Sequence, residues 1–286
     1  MMRQSKLIGT LAVLPGFFIV MGFMAFPVLF ALYISFTKTN GIKFEWRGLD
    51  NYFAIFVDPV VHQVFLNNFK FLISVPLVIM VGLLSAILLF ERIRGWKFFR
   101  LIFFLPNVLS VAVIGLMFKN FFGYDGAVNQ LLGVFGREPT QFFIDADYSI
   151  AIIVLALVWS GFGFQSLLLL AGLTSINPAV FEAAAIDGAG WWRRLWSITL
   201  PNIRRVLGFV FIINILYVFS GLFGFVFVMT AGGPGYETTT IDYLVYLRAF
   251  SSNNLGSGSA LAVVLFLFIG LLTLFQNKVF KLGKED

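Results

Sequence analysis

An all-α integral membrane bundle of six transmembrane helices is the fold class this sequence predicts, on three observations. Hydrophobic residues make up 59% of the 286-residue chain and charged residues only 12%, against roughly 25% charge in an ordinary soluble domain. Residues 7–36, 71–90, 101–118, 149–173, 206–230 and 257–276 are apolar and carry no Asp, Glu, Lys, Arg or His, and each has about the 20 residues that cross a bilayer as a helix. The basic residues collect on alternate connections. Arg3 and Lys6, then Arg92, Arg94, Lys97 and Arg100, then Arg193, Arg194, Arg204 and Arg205, then Lys278, Lys281 and Lys284 lie on one side and hold 13 of the 20 Lys and Arg. The excess of positive charge marks that side as cytoplasmic, with both termini and the 177–201 connection. Nine of the 14 acidic residues fall on the other side. The pI of 9.6 is therefore a topology signal rather than a nucleic-acid footprint.

The first apolar run follows Arg3 and Lys6, as a secretory signal would. It is about twice as long as a signal core and reaches Phe36 with no small-residue cleavage site, which predicts an uncleaved first span. Pro15, Pro27, Pro76 and Pro106 lie in or near spans, where neighbouring helices can compensate a kink, so they point to a packed bundle. Outside, Gly48-Leu49-Asp50-Asn51-Tyr52 closes a loop between the first two spans. Residues 123–133 predict a turn leading into a short helix. Met229 to Pro234, followed by Thr238, Thr239 and Thr240, predicts a Gly-Pro turn after the fifth span. The six spans are expected to form one domain over residues 1–286.

The inside connection 177–201 is the long polar interruption of the C-terminal half. Asn177 is a plausible cap and Pro178 fits the first turn of a helix, where its missing N–H costs nothing. Val180 to Ile186 is Ala-rich and favours a helix, whereas Gly188 and Gly190 let the chain turn. Trp191, Leu195 and Ile198 then recur on one face of a second helix, with Arg193 and Arg194 off it, until Pro201 stops it.

Those residues resemble the cytoplasmic signature loop of the membrane subunits of binding-protein-dependent ABC importers: Glu-Ala-Ala, three residues, Gly, nine residues, Ile, one residue, Leu-Pro. Glu182, Ala183, Ala184, Gly188, Ile198, Leu200 and Pro201 stand at that spacing without departure. With the 48–52 element and the 229–240 stretch, the likeness extends over nearly the whole chain and is to the carbohydrate-uptake branch, similar to maltose and oligosaccharide permeases. It implies the bundle of a type I importer with a cytoplasmic coupling helix in the bacterial or archaeal cytoplasmic membrane. It also implies a second homologous permease, a cytoplasmic ATPase dimer that binds the ATP and Mg, and an extracytoplasmic solute-binding protein. The small helix, with Glu182, Ala183, Ala184, Asp187 and Gly188, would seat in a groove on one ATPase subunit. Closure of the ATPase on ATP would then pull the spans toward an outward-facing arrangement, and hydrolysis would reverse it. The small Ala183, Ala184 and Ala185 would permit close approach.

No catalytic role is expected of this chain. It has no Gly-x4-Gly-Lys phosphate loop and no Cys. The lone His62, placed in an outside loop, has no second ligand for a metal. Glu182 and Asp187 lie beside a basic cluster at a turn, a poor place for a water-excluding active site. Glu182 is better suited to hydrogen bonds near its helix start, or to pairing with the ATPase, Arg193 or Arg194. An ion-coupled transporter would place carboxylates within its spans, and a membrane-embedded hydrolase would need a nucleophile and base there; these spans offer neither.

The uncharged spans favour a neutral polyol, held by aromatic walls with a few amides and hydroxyls. Trp159, Ser160, Gln165 and Ser166 of the fourth span and Asn214, Tyr217 and Ser220 of the fifth are the candidates. Each could equally make interhelical hydrogen bonds worth about 1 kcal/mol. Glycerol phosphate or another small polar solute is the alternative within the family, though a phosphate would want Lys or Arg in the pathway. The partner permease could supply one.

Overall fold

A computed structural model describes residues 13–280. Arg3, Lys6, Lys281 and Lys284 of the topology argument and the first six residues of the predicted 7–36 span lie outside the described residues. The chain divides into two compact units, Met1–Val61 with Leu244–Leu267, and His62–Tyr243 with Phe268–Asp286.

Helices dominate, as predicted. Four are long and apolar enough to cross a membrane: Val13–Ile34, Pro59–Phe90, Ala146–Thr174 and Leu255–Gln276. Two bent pairs bring the candidate spans to six, Trp96–Val108 with Val111–Phe121 at 95° and Trp191–Asn202 with Arg204–Ser220 at 72°.

The bends correct two expectations. The 101–118 span is not one helix: Pro106 falls in the last turn of Trp96–Val108, Leu109 is extended, and Ser110 caps the next helix by accepting the Val113 N–H at 3.3 Å. A proline that cannot continue a ladder and a serine that can start one together break the span. The 206–230 span likewise ends at Ser220, and Phe223–Met229 is a separate short helix. In the second span the helix begins a dozen residues early, because Pro59–Phe71 runs into Ser74–Phe90. His62 consequently sits exposed on a helix and not in a loop.

Prolines also shape the ladder by a repeated device. A π-helical turn, Met21–Ala25, ends two residues before Pro27, and another, Leu195–Thr199, ends two residues before Pro201. In each the next N–H reaches back five residues, Phe26 to the Met21 carbonyl and Leu200 to the Leu195 carbonyl. One widened turn makes room for a ring that would otherwise meet a carbonyl. The helix stops at Asn202, one residue past the predicted stop at Pro201.

In the first unit the chain leaves its helix at Ser35 and forms a hairpin, Thr37–Thr39 antiparallel to Phe44–Trp46, with Thr37 opposite Trp46. The 48–52 element does more than close a loop. Gly48 adopts φ +54° and leads into the helix Asp50–Val57. Asn51 donates to the carbonyls of Ser35 and Thr37 at 2.8 and 2.9 Å, and the Tyr52 hydroxyl meets Ser35 Oγ at 2.6 Å. An ion pair joins Arg248 to Asp58.

The second unit packs Ser74–Phe90 along Ala146–Thr174. They approach closely at Gly82, where an added Cβ would lie 2.8 Å from Gln165 Cβ. Gly163 similarly admits the carbonyl of Phe103 from the broken third span. Near the 177–202 loop Ala86, Ile87, Leu169, Leu173, Ile176, Ile203 and Val210 form a buried cluster. Elsewhere in this unit the 229–240 stretch is a polar lock. Asn67 donates to the carbonyls of Tyr236 and Thr239 at 2.7 and 3.0 Å. Asn68 donates to Val218 O at 2.7 Å and accepts the Ile241 N–H at 2.9 Å. Thr238, Thr239 and Thr240 are fully buried, and Thr238 and Thr239 bond back to the carbonyls of Gly233 and Gly232.

Asp242 closes that lock. Its carboxylate accepts the Phe223 N–H at 2.7 Å, the Tyr243 N–H at 2.9 Å and the Thr240 hydroxyl at 2.5 Å. Burial nevertheless raises its pKa above the usual aspartate value, outweighing those hydrogen bonds. A raised folded-state pKa contributes stability that is complete below the ordinary aspartate pKa and lost as pH rises through the folded value. Asp242→Asn keeps an acceptor without the charge. Thermal unfolding of the purified protein is expected to lose part of its pH dependence across the acidic range, with the variant gaining relative to the parent toward neutral pH.

Candidate functional site

Two features stand out: the 177–202 loop of the second unit, and a cavity among the spans of that unit. The loop folds as helix, turn, helix. Asn177 Oδ1 accepts the Ala179 N–H at 3.0 Å and Pro178 opens the helix Pro178–Ile186. Its C-terminus is a Schellman motif, in which the Gly188 N–H bonds Ala185 O at 3.1 Å and the Ala189 N–H bonds Ala184 O at 2.9 Å. The motif needs a left-handed residue, and Gly188 supplies it at φ +70°. Nothing lies within 4 Å of where a Cβ would stand, so glycine is required by the backbone and not by crowding within this chain.

The loop residues divide by direction. Phe181 and Ala184 turn inward, with Phe181, Trp191 and Leu195 packing on the buried cluster near the loop. Glu182, Ala183, Ala185, Ile186, Asp187 and Gly188 are exposed. The expected Ala183, Ala184, Ala185 contact surface is corrected accordingly: Ala184 serves the chain's own core. Trp191, Leu195 and Ile198 share the inward side as predicted, with Leu200 half-buried and Pro201 exposed. Arg194 is half-buried beside them, contrary to its expected place off that face, while Arg193 is exposed. Among the described residues no ion pair links Glu182 to Arg193 or Arg194, and Glu182 lies beyond its helix's first turn. Instead Glu91 Oε1 accepts the Trp191 indole N–H at 2.8 Å, tying the loop to the end of the second span. Glu91, Arg92, Glu182 and Arg194 line a cleft of about 590 Å³ beneath it.

The central cavity, about 280 Å³, separates the pathway candidates. Gln165, Asn214 and Tyr217 line it, as does Ser160. Trp159, Ser166 and Ser220 do not: Trp159 lies tilted against Phe118, Ser166 is fully buried, and Ser220 bonds its own helix at Leu216 O. Ser74 and Asn107 were not singled out from sequence and also line the cavity. Asn107 directly follows Pro106, so the break in the third span was the signal that could have found it. Gln165 Nε2 donates to Asn214 Oδ1 at 3.2 Å, and Asn214 Nδ2 donates to Val210 O at 2.7 Å. No Lys, Arg, Asp, Glu or His lines this cavity. Among the described residues no group of three metal-ligating side chains occurs.

The described residues form a multi-pass helical membrane protein whose cavity is lined by uncharged side chains and whose helical hairpin ends its first helix at a glycine. Comparison with known proteins gives the family. Residues 78–281 match the model of the binding-protein-dependent transport system inner membrane component, and the chain belongs to that family of non-catalytic membrane subunits. It is 34% identical to the multiple sugar-binding transport system permease protein MsmF of Streptococcus mutans, over 91% of this chain and 90% of that protein. It is 30% identical to the sn-glycerol-3-phosphate transport system permease protein UgpA of Brucella suis, over 95% and 94%. In fold it is similar to a chain of a bacterial ABC transporter involved in import of the acidic polysaccharide alginate, with TM-score 0.85, 20% identity and coverage of 99% and 98%.

Proposed function

We propose that this chain is the permease subunit of an ATP-driven importer of a sugar or oligosaccharide, working by alternating access in the cytoplasmic membrane with both termini inside. In this reading residues 1–286 act as one permease domain beside a second, homologous permease. A cytoplasmic ATPase dimer, which binds the ATP and Mg, engages the exposed face of Pro178–Ile186, and this chain carries no cofactor of its own. An extracytoplasmic binding protein delivers the solute. The observation that carries the substrate class is the neutral cavity, whose amides and hydroxyls at Gln165, Asn214, Ser160 and Tyr217 stand beside the apolar ring of Phe164. The similarity to UgpA favours glycerol phosphate as the second reading. A phosphate there would need its cation from the partner permease.

ATP hydrolysis by the reconstituted complex, measured with binding proteins loaded with candidate sugars or with glycerol phosphate, tests both. Stimulation by a sugar-loaded binding protein supports the first reading, stimulation by glycerol phosphate alone the second, and failure to recruit an ATPase overturns both. Asn214→Leu removes the acceptor of Gln165 and a polar wall of the cavity. Losing one or two hydrogen bonds of about 0.5–1.5 kcal/mol each should lower sugar transport by roughly 2- to 150-fold while ATPase binding persists. Unchanged transport would remove Asn214 from the pathway.

A further inference from the structure

We propose that the helix Trp191–Asn202 lies in the membrane–water interface and inserts Trp192 and Trp196 among the phospholipids of the cytoplasmic leaflet. The inference rests on the cytoplasmic placement of the loop proposed above. The helix meets Arg204–Ser220 at 72°, so if the latter crosses the bilayer, Trp191–Asn202 runs nearly in its plane. Trp191, Leu195 and Ile198 face the protein. Trp192 and Trp196 follow Trp191 and Leu195 by one residue each, about 100° round the helix, and are 68% and 66% exposed. They thus point sideways, and Arg193 points further round, away from the core.

Two large indoles four residues apart, mostly exposed although Trp192 meets Trp191 edge-to-face at 4.7 Å, are costly in water and well placed at headgroup depth. There the ring meets acyl chain and the N–H meets polar groups. On the adjoining helix Phe209 is 47% exposed. The neighbouring charge suits anionic headgroups, since the exposed Arg193 stands beside the pair. Four of the six tryptophans, Trp96, Trp191, Trp192 and Trp196, fall on this side of the chain. The ATPase, by contrast, is offered a different surface on the preceding helix, where Ile186 is 87% exposed.

The chain has no cysteine, so single spin labels can be placed at Trp196→Cys and at Ile186→Cys in the complex reconstituted in vesicles containing anionic lipid. The label at position 196 is expected to be relaxed strongly by oxygen, which partitions into lipid, and weakly by a water-soluble nickel chelate, with and without the ATPase. The label at 186 should be open to the nickel chelate and lose that access when the ATPase binds. Strong nickel relaxation at 196 would place it in water, and shielding from both reagents would place it under protein; either overturns the proposal. Failure of the 186 label to respond would instead count against the coupling reading alone. With native folding preserved, Trp192→Phe and Trp196→Phe should each reduce the share of tryptophan fluorescence quenched by brominated lipid; no reduction would also overturn it.

Discussion

Gly188→Val is expected to leave the chain assembled in the membrane and to bring ATP hydrolysis stimulated by the loaded binding protein down to the unstimulated level. Gly188 closes the Schellman motif at φ +70°, a conformation that costs a residue with a Cβ about 1–2 kcal/mol, and a β-branched one more. That is small against the packing of a bundle, so the spans persist. Relief comes by unwinding the last turn of Pro178–Ile186, which displaces the exposed Ala183 and Asp187 and so distorts the face proposed to engage the ATPase. Gly188→Asn separates the two ways in which a side chain could act, because asparagine tolerates the left-handed region. If asparagine restores stimulation, backbone geometry is the requirement. If it does not, the ATPase surface itself excludes a side chain there. Normal transport in Gly188→Val would remove the loop from the coupling role.

Asn68→Leu is expected to be the most destabilising single change outside the apolar core. Asn68 is fully buried and satisfies two backbone groups from distant parts of the chain, the Val218 carbonyl and the Ile241 N–H. Leucine has similar volume but leaves both groups unpaired, at about 1–3 kcal/mol each. With its neighbour Asn67 holding Tyr236 and Thr239, the 229–240 lock would come loose as a unit. A clear fall in the thermal midpoint of the purified protein, with new protease sensitivity around residues 231–237, is the expected result. An unchanged midpoint would show that the lock contributes little.

Much of this could be read from the chain. Spans follow from apolar length, because it records the transfer of side chains between water and lipid, which each residue undergoes largely on its own. The Asn177 cap, the Gly188 turn and the inward side of Trp191, Leu195 and Ile198 are equally local. The break at Leu109 had a signal in Pro106 and Ser110, but a proline within an apolar run is as compatible with a mild kink as with a 95° bend, and only packing chooses. The hairpin at Thr37–Trp46 had too short a pattern to read.

The central cavity shows the division most plainly. Sequence alone determined that polar groups in the fourth and fifth spans would be neutral, and that Gln165 and Asn214 were among them, since these are matters of composition. Gln165 and Ser166 are adjacent in sequence, yet one lines the cavity and the other is sealed within the bundle. That difference is set by the rotation of the fourth helix about its axis. The rotation is held where Gly82 lets the second helix close on Gln165 Cβ and where Gly163 admits the Phe103 carbonyl. These are contacts between residues far apart in the chain, and a helix nearly apolar all round carries no stripe of its own to announce which side they will occupy.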